Sequence, residues 1–157
     1  MRHIISCLVE NKFGVLARIA GLFSGRGFNI DSLCVGETTD PTVSRMTIVV
    51  RGDDKILEQV TKQLNKLVDV IKVQDFLGQS IVERELILVK VKAEQKQRSE
   101  LIEIADIFAA KIVDVNPKNI TIEMAGDAGK IEAIIALLKP YGIIEFVRTG
   151  RAAVNRG

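Results

Sequence analysis

Leu16-Ala17-Arg18-Ile19-Ala20-Gly21-Leu22-Phe23 returns 85 residues later as Leu101-Ile102-Glu103-Ile104-Ala105-Asp106-Ile107-Phe108, with Leu, Ile, Ala and Phe in the same places. The conserved spacing is the i, i+3, i+4, i+7 stripe of an amphipathic helix. A second echo follows. Thr47-Ile48, with Gly52-Asp53 after it, returns as Thr121-Ile122 with Gly126-Asp127 after it, now 74 residues on. The chain therefore reads as one unit written twice. The offsets of 85 and 74 differ by 11, so the first copy has 11 extra residues between its first helix and its third strand.

Working outward, the first copy opens with a strand, Ile4–Val9, with Ile5, Cys7 and Val9 on one face and Ile4 and Leu8 on the other. Both faces are apolar, which predicts that both are covered. A helix over Gly14–Ser24 uses Leu16, Ile19, Ala20 and Phe23 and stops at Gly25-Arg26-Gly27. The next strand is Phe28–Gly36. Phe28 and Ile30 point one way and Leu33 and Val35 the other, and the phase slip near Ser32 predicts a bulge. A turn at Glu37–Thr42 leads to a strand at Val43–Arg51, with Met46, Ile48 and Val50 inward. Asp53 or Asp54 then caps a helix carrying Ile56, Val60 and Leu64, and a strand over Leu67–Phe76 closes the copy. The second copy reads as strand Leu86–Ala93, helix Ser99–Ala110, strands Ile112–Val115 and Asn119–Ala125, helix Lys130–Leu138 and strand Ile143–Arg148. The fold class is α+β, with two ferredoxin-like βαββαβ domains in tandem. The expected division is 1–77, a linker at Gly78-Gln79-Ser80, and 81–157.

Composition excludes several functions. The 157 residues are 47% apolar and 27% charged, with 22 Lys+Arg against 20 Asp+Glu. Such a chain has a real core and no strong electrostatic footprint for nucleic acid. Aromatics are 4%, so the core is aliphatic, and the central strands offer no stacking platform for bases. No apolar run approaches the ~20 residues of a membrane helix. The opening apolar run is too short for a signal peptide. Cys7 and Cys34 read as buried free thiols, which implies a reducing, cytoplasmic setting. His3 is the single histidine and reads as a solvated surface residue, which leaves no metal-ligand spacing and no nucleophile–base pair. Gly25-Arg26-Gly27 follows a helix instead of opening one, so it is not a dinucleotide loop. Arg148, Arg151 and Arg156 read as a solvated tail.

One loop stands apart. Asn11-Lys12-Phe13-Gly14-Val15-Leu16 joins the first strand to the first helix. A helix N-terminus has unpaired N–H groups that bind carboxylates, Gly14 lets a ligand approach the backbone, and Asn11 both donates and accepts. Asn29 offers a second amide, and Leu16 and Ile30 offer apolar walls. The residues alone leave two readings open, a ligand loop or a plain helix cap by Asn11. At the offset of 85 the second copy has Lys96, Ser99 and Asp114 in place of Asn11, Gly14 and Asn29, so the loop belongs to the first copy only.

Asn11 to Leu16 followed by Gly27-Phe28-Asn29-Ile30 resembles the ACT domain, a ferredoxin-like module that binds amino acids. With Ser44-Arg45-Met46-Thr47, Gln63 to Val70, Val82 to Leu86 and Arg148-Thr149-Gly150, the resemblance extends almost end to end to the small regulatory subunits of acetohydroxyacid (acetolactate) synthase. It implies a non-catalytic, cofactor-free chain that activates a large catalytic subunit and confers feedback inhibition by valine or another branched-chain amino acid. That partner would hold thiamine diphosphate, magnesium and FAD. The resemblance further implies a homodimer of ACT domains with the effector at its interface. Asn11, Gly14, Val15 and Leu16 would come from one chain, and Asn29 and Ile30 from the other. A free-standing amino-acid sensor with another partner is the alternative reading, and a nucleic-acid-binding domain a more distant one.

Overall fold

A computed structural model describes residues 2–157. The chain forms two compact units, one of residues 1–82 with 151–157 and the other of residues 83–150.

In the first unit the elements are β1 (Arg2–Glu10), α1 (Val15–Gly25), β2 (Asn29–Glu37), β3 (Val43–Arg51), α2 (Asp54–Asn65) and β4 (Val70–Asp75). The sheet order is β2-β3-β1-β4. β1 is antiparallel to both β3 and β4, and β2 is antiparallel to β3. One face is packed by the helices. Ile5, Cys7 and Val9 from β1 meet Met46, Ile48 and Val50 from β3, under Val15, Ile19 and Phe23 of α1 and Leu57, Val60 and Leu64 of α2. This is the expected aliphatic core, filled by branched side chains with one central phenylalanine. Asp53 is the α2 cap, its carboxylate accepting from the Lys55 N–H at 2.8 Å.

The second unit repeats the plan with β5 (Ile81–Lys92), α3 (Arg98–Ile107), β6 (Lys111–Val115), β7 (Asn119–Gly126), α4 (Ala128–Leu138) and β8 (Ile143–Arg148), after a short 3₁₀ turn at Lys139–Tyr141. Its order, β6-β7-β5-β8, matches the first sheet strand for strand. Ile87, Val89, Val91, Ile120, Ile122, Ile131 and Ile134 fill its core. The two βαββαβ units are thus as expected, and six of the first copy's 11 extra residues lie in its second strand and the turn after it. β2 has nine residues where β6 has five, and the β2–β3 connection is residues 38–42 where the β6–β7 connection is 116–118.

Several expectations are corrected. The α1 stripe is shifted by one residue, with Val15 buried and Leu16 44% exposed. On α2, Leu57 is buried and Ile56 is outside. The bulge falls between Ile30 and Ser32, and the extra residue, Asp31, restores the phase: Ile30, Leu33 and Val35 all pair with inward residues of β3, namely Val50, Ile48 and Met46. They share a face instead of splitting between two. β4 begins at Val70 because Leu67 and Val70 close a turn. Cys7 is buried but Cys34 only half-buried.

The C-terminal tail is not solvated: Ala152–Asn155 form a strand, β9, that packs against β1 and β3 of the first unit. Ala153 is buried, the Arg156 N–H donates to Ser80 O at 3.0 Å, and Arg148 pairs with Glu85 at 2.9 Å and Glu132 at 3.3 Å. Residues 151–157 therefore return to the first unit, and the units divide at Val82/Glu83 where the sequence pointed to Gly78–Ser80.

His3 is the largest departure. It is 2% exposed, with Nδ1 2.9 Å from Asp75 Oδ2 and Nε2 2.7 Å from Asp54 Oδ1. The imidazole ties the start of β1 to the end of β4 and the start of α2. Burial opposes its charge, but the hydrogen bonds and charges of Asp54 and Asp75 outweigh burial and raise its pKa above 6.5. A raised folded-state pKa gives stability that is complete below the unfolded value and is lost as pH rises through the folded one. Denaturant titrations between about pH 6 and about pH 9 should show the wild type losing stability on the alkaline side, and His3→Gln showing a flatter profile.

Candidate functional site

The loop after β1 turns sharply because Gly14 takes the left-handed conformation, φ 84°, as the N-cap of α1. No side chain caps this helix. Val15 N–H reaches Lys12 O at 3.4 Å, and the first α-helical bond runs from Arg18 N–H to Gly14 O at 3.1 Å. The N–H groups of Leu16 and Ala17 lie between those two and are orphan donors of the first turn, at the positive end of the helix dipole. Val15 is buried and anchors the turn, Leu16 is beside it and half-exposed, and Phe13 projects fully into solvent.

Asn11 is not the cap. Its backbone N–H donates to Thr42 O at 2.7 Å, and its Nδ2 donates to Pro41 O at 3.0 Å and points to Glu37 Oε2 at 3.5 Å. The Nδ2 group is thereby directed at the β2–β3 hairpin, at the end of β2 and at its turn, and Oδ1 is left without a partner among the described residues. The reading in which Asn11 merely closes the helix does not describe this loop.

Asn29 and Ile30 lie elsewhere. Asn29 is level with Arg51, which is level with Arg2, whereas Glu10 is level with Val43. Asn29 therefore sits at the opposite end of the sheet from Asn11, roughly 25 Å away by strand rise. The structure brings Asn11, Gly14, Val15 and Leu16 together and leaves Asn29 and Ile30 at the far end of the same chain. Asn29 Nδ2 donates to Asp31 Oδ1 at 3.2 Å, and Asp31 is itself held by Arg51 at 2.8 Å and Arg2 at 3.4 Å. Those arginines keep the Asp31 carboxyl below its usual range against the desolvation that opposes them. The bulge residue thus fixes Asn29 as well as the strand phase, a role with no sequence signature beyond the slip at Ser32.

Chemistry is sparse elsewhere. Burial pushes the Cys7 thiol up to about 12, so it is inert as a nucleophile. The carboxylates around His3 lie on opposite sides of its ring and do not converge, and no group of three or more His, Cys, Asp or Glu among the described residues is arranged to hold a metal ion. No described helix is long and apolar enough to cross a membrane. The helix-free face of β1 and β3 carries Ile4, Ser6, Leu8, Arg45, Thr47 and Val49, with no aromatic side chain for stacking bases. In the second unit the helix corresponding to α1 starts from Gln97 in a right-handed conformation, and an arginine, Arg98, donates to Asn116 O where the first unit uses Asn11 on its hairpin.

Two βαββαβ units, the first with a glycine-led helix start and a match to an ACT-domain family model, place the chain in the ACT class of module. Residues 5–72 match the AHAS small subunit-like ACT domain, and residues 84–157 match the small subunit of acetolactate synthase. The chain belongs to the acetolactate synthase small-subunit family, and not to that of the catalytic subunit. It is 55% identical over 156 residues to the probable acetolactate synthase small subunit of Methanothermobacter thermautotrophicus, covering 99% of this chain and 93% of that one. With the Archaeoglobus fulgidus counterpart it shares 55% over 157 residues, covering 100% and 98%. The crystal structure of the acetolactate synthase small subunit from Thermotoga maritima superposes with a TM-score of 0.90 at 44% identity, covering 100% of this chain and 98% of that one.

A Cβ at Gly14 meets no atom within 4 Å, so Gly14→Ala is strained by backbone conformation alone. It should cost about 1–2 kcal/mol in urea denaturation, with no change in the folded secondary structure.

Proposed function

We propose that this chain is the regulatory subunit of acetolactate synthase, raising the activity of the large catalytic subunit and conferring inhibition by valine or a related branched-chain amino acid. The observation that carries the reading is the α1 start: orphan N–H groups at Leu16 and Ala17 for a carboxylate, beside an unpartnered Asn11 Oδ1 for an ammonium. Those are the two ends of an α-amino acid, and the half-exposed Leu16 suits an aliphatic side chain.

The second half of the site comes from another copy. β2 is an edge strand. A two-fold pairing of β2 with its own copy, antiparallel, puts Asn29 and Ile30 of one chain beside Glu37 and the Asn11 loop of the other. That arrangement supports a dimer with an eight-stranded sheet and two shared sites, and explains why one chain holds the site residues at opposite ends. Thiamine diphosphate, magnesium and FAD belong to the large subunit, in the cytoplasm, and this chain holds none of them.

Inhibition is linkage: the amino acid must bind one state of the holoenzyme better than the other, and a coupling of about 1–3 kcal/mol, roughly 5–150-fold, is ordinary. Calorimetric titration of the full chain should show saturable binding of valine and none of lysine. Reconstitution with the large subunit should show activation, and inhibition that Asn11→Ala weakens at least about tenfold. Activation without binding in either the free chain or the complex would remove the sensing role and leave the subunit role intact. Binding without activation would instead mark a free-standing sensor.

A further inference from the structure

The β2–β3 hairpin is longer in the first unit than its β6–β7 counterpart in the second, and it is built around one carboxylate. Asp40 Oδ1 accepts from Thr42 N–H at 2.9 Å and from Thr42 Oγ1 at 2.7 Å. Asp40 O accepts from Val43 N–H at 3.0 Å and from Thr38 Oγ1 at 3.0 Å, and Thr38 N–H closes the hairpin on Val43 O at 2.8 Å. The turn so formed aims two consecutive carbonyls, Pro41 O and Thr42 O, at Asn11. A carbonyl only accepts, so Pro41 O decides which end of the Asn11 amide turns inward: the NH₂ group faces the hairpin and Oδ1 faces away. We propose that this hairpin, organised by Asp40, is the positioning element that sets Asn11 as an acceptor only, and thereby makes the site select a 2-amino acid over the 2-oxo acid of the same carbon skeleton.

The selection follows from hydrogen-bond polarity. An α-ammonium donates to Asn11 Oδ1 in a charge-assisted bond. A 2-oxo acid has the same carboxylate for the helix N–H groups and the same aliphatic chain, but a carbonyl oxygen where the ammonium was. Two acceptors then face each other and neither is satisfied. A free Asn11 amide would rotate and donate to that carbonyl, so discrimination depends on the hairpin holding it. The inference rests on the amino-acid-sensing reading above and adds a residue outside the contact set, together with a class of ligand the site refuses.

The test uses the full chain, titrated with valine and with 3-methyl-2-oxobutanoate, in wild type, Asp40→Ala and Asp40→Asn. Wild type should bind valine at least about tenfold more tightly than the oxo acid. Asp40→Ala should weaken valine about tenfold and narrow the ratio between the two ligands. Asp40→Asn keeps an Oδ1 acceptor for Thr42, so it should stay within about threefold of wild type. Equal affinity of wild type for the two ligands, or an Asp40→Ala chain that matches wild type, overturns the proposal. A second readout needs no ligand. The side-chain NH₂ protons of Asn11, followed by NMR, should be shifted from free-amide positions and slow to exchange with water in wild type, and should move to free-amide shifts and exchange faster in Asp40→Ala with the thermal midpoint little changed. Unchanged Asn11 resonances overturn the positioning role even if the protein binds no amino acid. Absence of valine binding by wild type, with the resonances responding as expected, overturns the sensing reading instead.

Discussion

Everything in the first unit depends on β1 being paired on both edges. With β3 on one side and β4 on the other, its Ile5, Cys7 and Val9 sit under both helices, and its N-terminal His3 is drawn into the same buried face. Its C-terminal half is paired on both edges, to β3 and to β4, so that end is a fixed platform for whatever follows it. The Asn11 loop is launched from that platform: the hydrogen bond from Glu10 N–H to Asp69 O at 2.8 Å holds the strand's last residue, and that from Asn11 N–H to Thr42 O at 2.7 Å holds the loop's first. Loops that carry function are commonly mobile, but this one is tied at its base by the sheet, at its side by the hairpin and at its end by buried Val15.

The two units show which parts of the plan are structural and which are not. Strand order, helix stripes and the capping aspartates, Asp53 and Asp127, are common to both. What differs is the loop before the first helix and the length of the second strand and its hairpin. Burial of an aliphatic face requires the former set in any copy of the fold. It requires none of the latter, since the second unit closes its own core with a five-residue β6. Features present in one copy and dispensable for packing in the other are where a function other than stability resides.

The sequence carried the fold because the core is patterned: period-two strands, period-3.6 helices and glycine stops agree with one another. It misplaced single faces, Leu16 against Val15 and Ile56 against Leu57, because an apolar pair at adjacent positions fits either side of a helix and tertiary contact decides. His3 departs from expectation for a different reason. A histidine near a chain end is ordinarily solvated, and its partners Asp54 and Asp75 are 51 and 72 residues away. The tail departs from expectation because β9 is only four residues long and packs on strands distant in sequence. At the candidate site, the loop chemistry singles out Asn11 and Gly14. It carries nothing of the direction of the Asn11 amide, which is set by carbonyls across the hairpin, and backbone acceptors leave no trace in residue identity.

Between the two edges of the first sheet, physics favours β2 over β4 as the one that pairs with another copy. Exposed edges invite pairing, and proteins blunt them with lysine, proline or brevity. β4 is six residues long and carries Lys72 near its centre. β2 runs nine residues, Asn29-Ile30-Asp31-Ser32-Leu33-Cys34-Val35-Gly36-Glu37, without lysine or proline. Its bulge lies near one end, pinned by Arg2 and Arg51, which leaves Ser32 to Glu37 as a regular strand. The same strand carries Asn29 at one end and leads at the other into the hairpin that holds Asn11. In the proposed dimer, an edge that pairs with its copy controls the relative placement of both amides. Ligand binding and strand pairing would then share one set of coordinates, and whatever shifts one would bias the other.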